Sequence, residues 1–132
     1  MKKIAAIYLS ILLVSCSGNG TLQPTQLIKK SKERKAYCYN FEKDVVLKRA
    51  NHYFEKCFTD SVFGSDFLKT GNIPYGKRLS LSNGDVFQYS VEIKSNIRGC
   101  TTEAKMYGID DDWKSAFDQT NNAILGKKFS CP

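Results

Sequence analysis

Few side chains in this sequence can move protons or hold metals. His52 is the single histidine among 132 residues, and the helical spacing of its neighbours turns it away from their apolar stripe. Without a second histidine the chain lacks the usual composition of a zinc site, and a Ser-His-Asp triad would have to recruit this one surface residue. The run Asp110-Asp111-Asp112 lacks the spaced acids, central glycine and distal glutamate of a calcium-binding EF-hand loop. Its expected role is to cap a helix. No glycine-rich phosphate loop occurs, so neither a metal nor a cofactor is expected. Carboxylate pairs can assemble from distant positions, which keeps a small hydrolase or a ligand carrier as the alternative reading. Asp66 and Glu103 are the acids that an enzyme would use.

The location of such chemistry is written at the start of the chain. Lys2 and Lys3 precede an apolar run from Ile4 to Val14, and the small Ser15 stands before Cys16, the order of an export signal. The run is about half the roughly 20 residues that a membrane-crossing helix needs. Leu13-Val14-Ser15-Cys16 resembles the lipobox of bacterial lipoproteins, a likeness confined to residues 1–16. The resemblance implies lipidation of Cys16, cleavage before it by signal peptidase II, and acylation of the new amine. Ser17, in place of a retention aspartate, implies an outer-membrane destination facing the periplasm. Two or more acyl chains hold a protein on a bilayer stably, each buried methylene contributing about 0.8 kcal/mol.

Charge divides the remainder. Of the 20 basic residues, two lie in the signal and five are Lys29, Lys30, Lys32, Arg34 and Lys35, leaving thirteen from Ala36 onward against twelve acids. The domain is thus near neutral. Residues 16–35 read as the lipidated cysteine and a flexible tether, rich in Ser, Gly and Asn and then basic. Mainly this tether is a solvated spacer, with weak contact to anionic lipid as the functional expectation for its five cations. Nucleic acid is not an expected partner: an exported chain rarely meets it, and no aromatic-basic motif accompanies the charge.

Residues 36–132 are expected to form one α+β domain, an antiparallel meander of three to four strands with two helices on one face. Ala36 to Tyr39 alternates as a short strand. Phe41, Val45, Val46, Ala50, Tyr53, Phe54 and Cys57 recur at helical spacing after the potential cap Asn40, which predicts a helix over 41–57. Gly64, Gly71, Pro74 and Gly76 then mark a long loop from Phe58 to Lys77.

Leu79 and Leu81, then Phe87, Tyr89, Val91 and Ile93, then Cys100, Thr102, Ala104 and Met106 predict three strands with one shared apolar face. A three-residue Ser82-Asn83-Gly84 loop pairs Leu79 with Phe87, and a Ser95-Asn96 turn sets Val91 opposite Cys100. Trp113, Ala116, Phe117, Thr120, Ala123 and Ile124 predict a second helix, capped by Asp110 or Asp111 and closed by Gly126. Phe129 to Pro132 is expected as a short edge strand.

In an oxidising envelope the four cysteines other than Cys16 should form two disulfides. A continuous helix of about 24 Å keeps Cys38 from Cys57, leaving two pairings. Cys57 with Cys100 and Cys38 with Cys131 is preferred, since the first pair points to the core and the second would clip the domain's ends together.

Seven Tyr, eight Phe and one Trp exceed what so small a core must hide, and Tyr37, Tyr39, Tyr75 and Tyr107 are candidates for a binding surface. The functional expectation is therefore a noncatalytic envelope protein that docks to a protein partner, as an assembly, inhibitor, immunity or exclusion factor. Phe63, Phe67 and Tyr75, in the long loop, are its expected contact residues.

Overall fold

The computed structural model describes residues 27–28, 31–58, 68–83 and 86–132. Their order is β1 (Glu33–Tyr39), α1 (Lys43–Phe58), β2 (Leu68–Ile73), β3 (Gly76–Asn83), β4 (Val86–Ile97), β5 (Cys100–Gly108), a 3-10 turn (Asp111–Trp113) and α2 (Lys114–Ile124). The strands form one antiparallel sheet in the order β1-β5-β4-β3-β2. The class is α+β as expected, but the sheet has five strands and not three to four.

The two differences lie at the sheet's edges, where sequence patterning is weakest. β2 occupies part of the stretch expected to be loop, pairing Leu68 to Ile73 with Leu81 to Gly76. Its Lys69, Gly71 and Asn72 are exposed, so no buried row announces it. β1 begins at Glu33, three residues earlier than expected, and pairs Glu33, Arg34 and Lys35 with Gly108, Tyr107 and Met106. Charged side chains suit an edge strand because they discourage pairing with another chain. Three residues assigned to the tether therefore belong to the sheet. Leu27, also in that stretch, is fully buried against Phe87 and Ile109.

Both meander registers differ from expectation, and both preserve the shared face for a stated reason. β3 joins β4 through Asn83 opposite Val86, then shifts between Leu81 and Ser82, so that Leu79 faces Val91 and Leu81 faces Tyr89. The one-residue bulge restores the parity that a two-residue connection alone would reverse. It also sends Phe87 out of the expected core row and into the cluster with Leu27. β4 and β5 meet through an Arg98-Gly99 turn, with φ of 54° and 81°, and not through Ser95-Asn96. Positive φ at both central residues matches a type I′ hairpin turn. Val91 consequently faces Met106 rather than Cys100, an even displacement that leaves every side chain on its face.

The core lies between this face and both helices. Val46, Ala50, Tyr53, Phe54 and Phe58 from α1 and Ala116, Phe117, Thr120, Ala123 and Ile124 from α2 are buried. They meet Leu79, Leu81, Tyr89, Val91, Ile93, Ala104 and Met106 of the sheet. Val45, expected in the stripe, is 37% exposed. α1 starts two residues later than predicted, its first turn built on the Glu42 carbonyl, which accepts from the Val45 and Val46 N–H groups, while the Phe41 carbonyl accepts from Thr102 Oγ1 at 2.6 Å. The Tyr89 ring stacks on Phe54, Trp113 and Phe117 at 5.3–5.7 Å, and its hydroxyl lies 2.7 Å from Thr120 Oγ1. Asp110 accepts from the Asp112 N–H at 3.0 Å and so caps the 3-10 turn that leads into α2, whereas α2 itself, preceded by Trp113, lacks the expected side-chain cap.

Two disulfides close the fold, in the pairing not favoured from sequence: Cys38–Cys100 and Cys57–Cys131, with Cα separations of 5.4 and 5.2 Å. The first of these ties β1 to the start of β5, and both Cα separations lie within the disulfide range. The tail after Gly126 turns back along α1, where Phe129 meets Tyr53 and Cys131 meets Cys57. It is not the strand predicted for residues 129–132. Among the described residues, no helix is long and apolar enough to cross a membrane.

Candidate functional site

The expected contact residues part company in the structure. Phe63 and Phe67 lie outside the described residues, as does Asp66. Tyr75 sits in the turn between β2 and β3 with 76% of its surface exposed. Pro74 ahead of it fixes the first turn residue, and Tyr75 at φ 67° occupies the second. That is the layout of a type II turn, whose second position ordinarily takes glycine.

The turn is held down from both sides. Tyr75 accepts a hydrogen bond from the Ser95 N–H at 3.1 Å. Gly76 lies so close to β4 that a Cβ there would stand 1.8 Å from the Ile93 carbonyl oxygen. Only glycine permits that approach, so the exposed ring projects from a clamped backbone.

The same end of the sheet carries two further strained residues. Asn96 and Arg98 have φ of 55° and 54°, and with Tyr75 they are the non-glycine residues at positive φ among those described. Both are exposed. Asn tolerates this conformation through its short polar side chain, whereas Tyr and Arg have no such relief. Strain of this kind persists only where the surroundings impose it and concentrates at functional sites, at roughly 1–3 kcal/mol each. Sequence reading missed Arg98 and Asn96 because it placed the turn at Ser95-Asn96. The Arg-Gly pair before Cys100 was the available signal.

The other tyrosines are structural. Tyr39 and Tyr107 are each only 4% exposed, contrary to their expected place on a binding surface, and Tyr37 is half-buried. Tyr39 donates to Asn121 Oδ1 at 2.6 Å, anchoring α2 to β1. Tyr107 reaches Glu92 Oε1 at 3.5 Å on the sheet face away from the helices. Burial, and then the Glu92 charge, pushes its hydroxyl up to about 12.

Among the described residues, His52 on α1 and Glu103 in β5 are not brought together. His52 is exposed as expected and meets Phe129 edge-on at 6.0 Å. Glu103 lies on the outer face between Cys38 and Lys94 in register. Neighbouring Glu92 is tied to Arg78 through two N–H groups and lies 3.8 Å from Lys94, an ion-pair network that occupies its carboxylate. Among the described residues no three His, Cys, Asp or Glu side chains converge to hold a metal. Comparisons with protein-family models, with curated proteins and with solved structures returned no match to this chain.

Proposed function

We propose that this protein is a lipid-anchored envelope protein that works without catalysis, docking to a protein partner through the sheet end formed by Tyr75, Asn96 and Arg98. The observation that carries the docking site is the concentration of exposed, strained, non-glycine residues there, with Tyr75 in the left-handed region and 76% exposed. Tyr and Arg dominate the energetics of protein interfaces. An aromatic on a backbone fixed by Gly76 and by the Ser95 hydrogen bond loses little entropy on docking.

The anchoring part of the reading rests on Leu13-Val14-Ser15-Cys16, with Cys16 as the lipidated residue and the outer membrane, facing the periplasm, as its destination. In this reading Lys29, Lys30 and Lys32 add salt-sensitive contact with anionic lipid, while Arg34 and Lys35, part of β1, are engaged with the Ile28 carbonyl and Asp118. The test is capture of a partner from envelope membranes by the full chain, compared with Tyr75→Ala and Arg98→Ala variants. The expected result is at least a tenfold loss of one captured protein in both variants, with unchanged thermal unfolding. Capture indifferent to both substitutions would contradict the assignment of the site.

A further inference from the structure

A second surface, remote in sequence from the β2–β3 turn, combines charge with apolar exposure. Val45, Lys48, Arg49 and His52 of α1 line an open groove of about 420 Å³, and Ala123 of α2 closes its other side. The four α1 residues are spaced i, i+3, i+4 and i+7, so they form one continuous helix face. This is the face that the apolar stripe leaves outward.

Arg49 is fixed in place. Its Nη1 donates to the Ile124 carbonyl at 2.8 Å, and its guanidinium lies 5.0 Å from the centre of the Phe41 ring. A guanidinium presents five N–H donors in a planar fork, so this one contact leaves capacity for an anionic oxygen pair. Lys48 stands beside it on the same groove.

The groove also has an apolar component. Among the described residues the exposed large hydrophobics are Val45, Tyr75 and Leu125, at 37%, 76% and 38%. Of these, Val45 lines the groove. Lys127 and Lys128, just beyond α2 in the chain, are exposed and add positive charge. A simple phosphate ion would use the cations and ignore Val45. An anionic amphiphile uses both, its headgroup on Lys48 and Arg49 and its first methylenes on the apolar rim.

We propose that the groove between α1 and α2 binds the phosphate headgroup of an anionic phospholipid, through Lys48 and Arg49, with the start of the acyl chains on Val45. This contact is independent of Cys16 and of the basic tether. It would hold the helical layer of the domain against a membrane surface.

The test uses the full chain carrying Cys16→Ser, so that no attached acyl chain competes, with amide chemical shifts followed by NMR. The probes are dihexanoyl-phosphatidylglycerol below its micellar concentration, dihexanoyl-phosphatidylcholine and inorganic phosphate. The expected result is saturable shifts at Val45, Lys48, Arg49, His52 and Ala123 with the glycerol lipid. Binding should be at least tenfold weaker for each of the other two probes.

Lys48→Glu, an exposed change that spares the Arg49 contact with Ile124, should weaken the glycerol lipid at least tenfold while leaving the remaining spectrum unmoved. Phosphate equal to the lipid would make this a free-anion site and overturn the proposal. So would phosphatidylcholine equal to phosphatidylglycerol, an absence of saturable shifts in the groove, or a Lys48→Glu affinity equal to the parent.

Discussion

A tyrosine at φ 67° with its ring in solvent is held where glycine would be cheaper, since the left-handed region costs an L residue roughly 1–2 kcal/mol. Replacing Tyr75 by Gly removes that cost and adds an entropic one of about 0.5–1 kcal/mol. The expected stability by chemical denaturation is therefore equal to the parent or higher by up to about 1 kcal/mol, while partner capture falls. A residue that lowers stability and raises capture marks a surface shaped for contact.

The buried tyrosines behave differently. The Tyr53 hydroxyl is buried with no partner in hydrogen-bonding geometry, whereas the Tyr89 hydroxyl has one in Thr120. Tyr53→Phe should thus be neutral or stabilising. Tyr89→Phe should cost about 1 kcal/mol, the net worth of a typical buried hydrogen bond. Paired denaturation curves distinguish them, and equal losses would mean that both hydroxyls are bonded alike.

At the scale of elements, the disulfides tie strand to strand and tail to helix. Peptide mapping without reduction should recover Cys38 linked to Cys100 and Cys57 linked to Cys131. Removing the second bond, whose cysteines are 74 residues apart, should cost about 4 kcal/mol in the chain-entropy model. Cys57→Ser with Cys131→Ser tests this by denaturation, and a loss under about 1 kcal/mol would show that the tail is held by Phe129 packing instead.

Sequence patterning revealed the elements that bury a face. α1 and α2 carry apolar residues at helical spacing, and Tyr89, Val91 and Ile93 alternate, so their existence and facing were legible. β2 was not, because an edge strand of Lys69, Gly71 and Asn72 buries no continuous row. The extension of β1 was hidden by Glu33, Arg34 and Lys35, whose charge resembles that of a tether. The site was half legible. Tyr75 stood out as an aromatic in a Pro-Gly turn, but Arg98 depended on a hairpin register that the apolar pattern fixes only to within an even number of residues.

Over the whole molecule, buried tyrosines on both faces of the sheet set the response to alkali. Burial raises the hydroxyl pKa of Tyr39, Tyr53 and Tyr89, and carries Tyr107 to about 12, above the ordinary tyrosine value of 10.0. The native state binds these protons more tightly than the unfolded chain. Stability is therefore fully present below pH 10 and declines as pH rises from about 10 toward 12 and beyond. Absorbance at 295 nm should show these tyrosines ionising together with unfolding. Their ionisation near pH 10 in a still folded protein would contradict the packing described.

The docking claim is tested most directly by placing a photo-crosslinking phenylalanine analogue at position 75, at 98 and, as a control, at 52 in the full chain, with irradiation of intact envelopes. The account predicts one shared protein adduct from positions 75 and 98 and its absence from position 52. An adduct formed at 52 but at neither 75 nor 98 would contradict it.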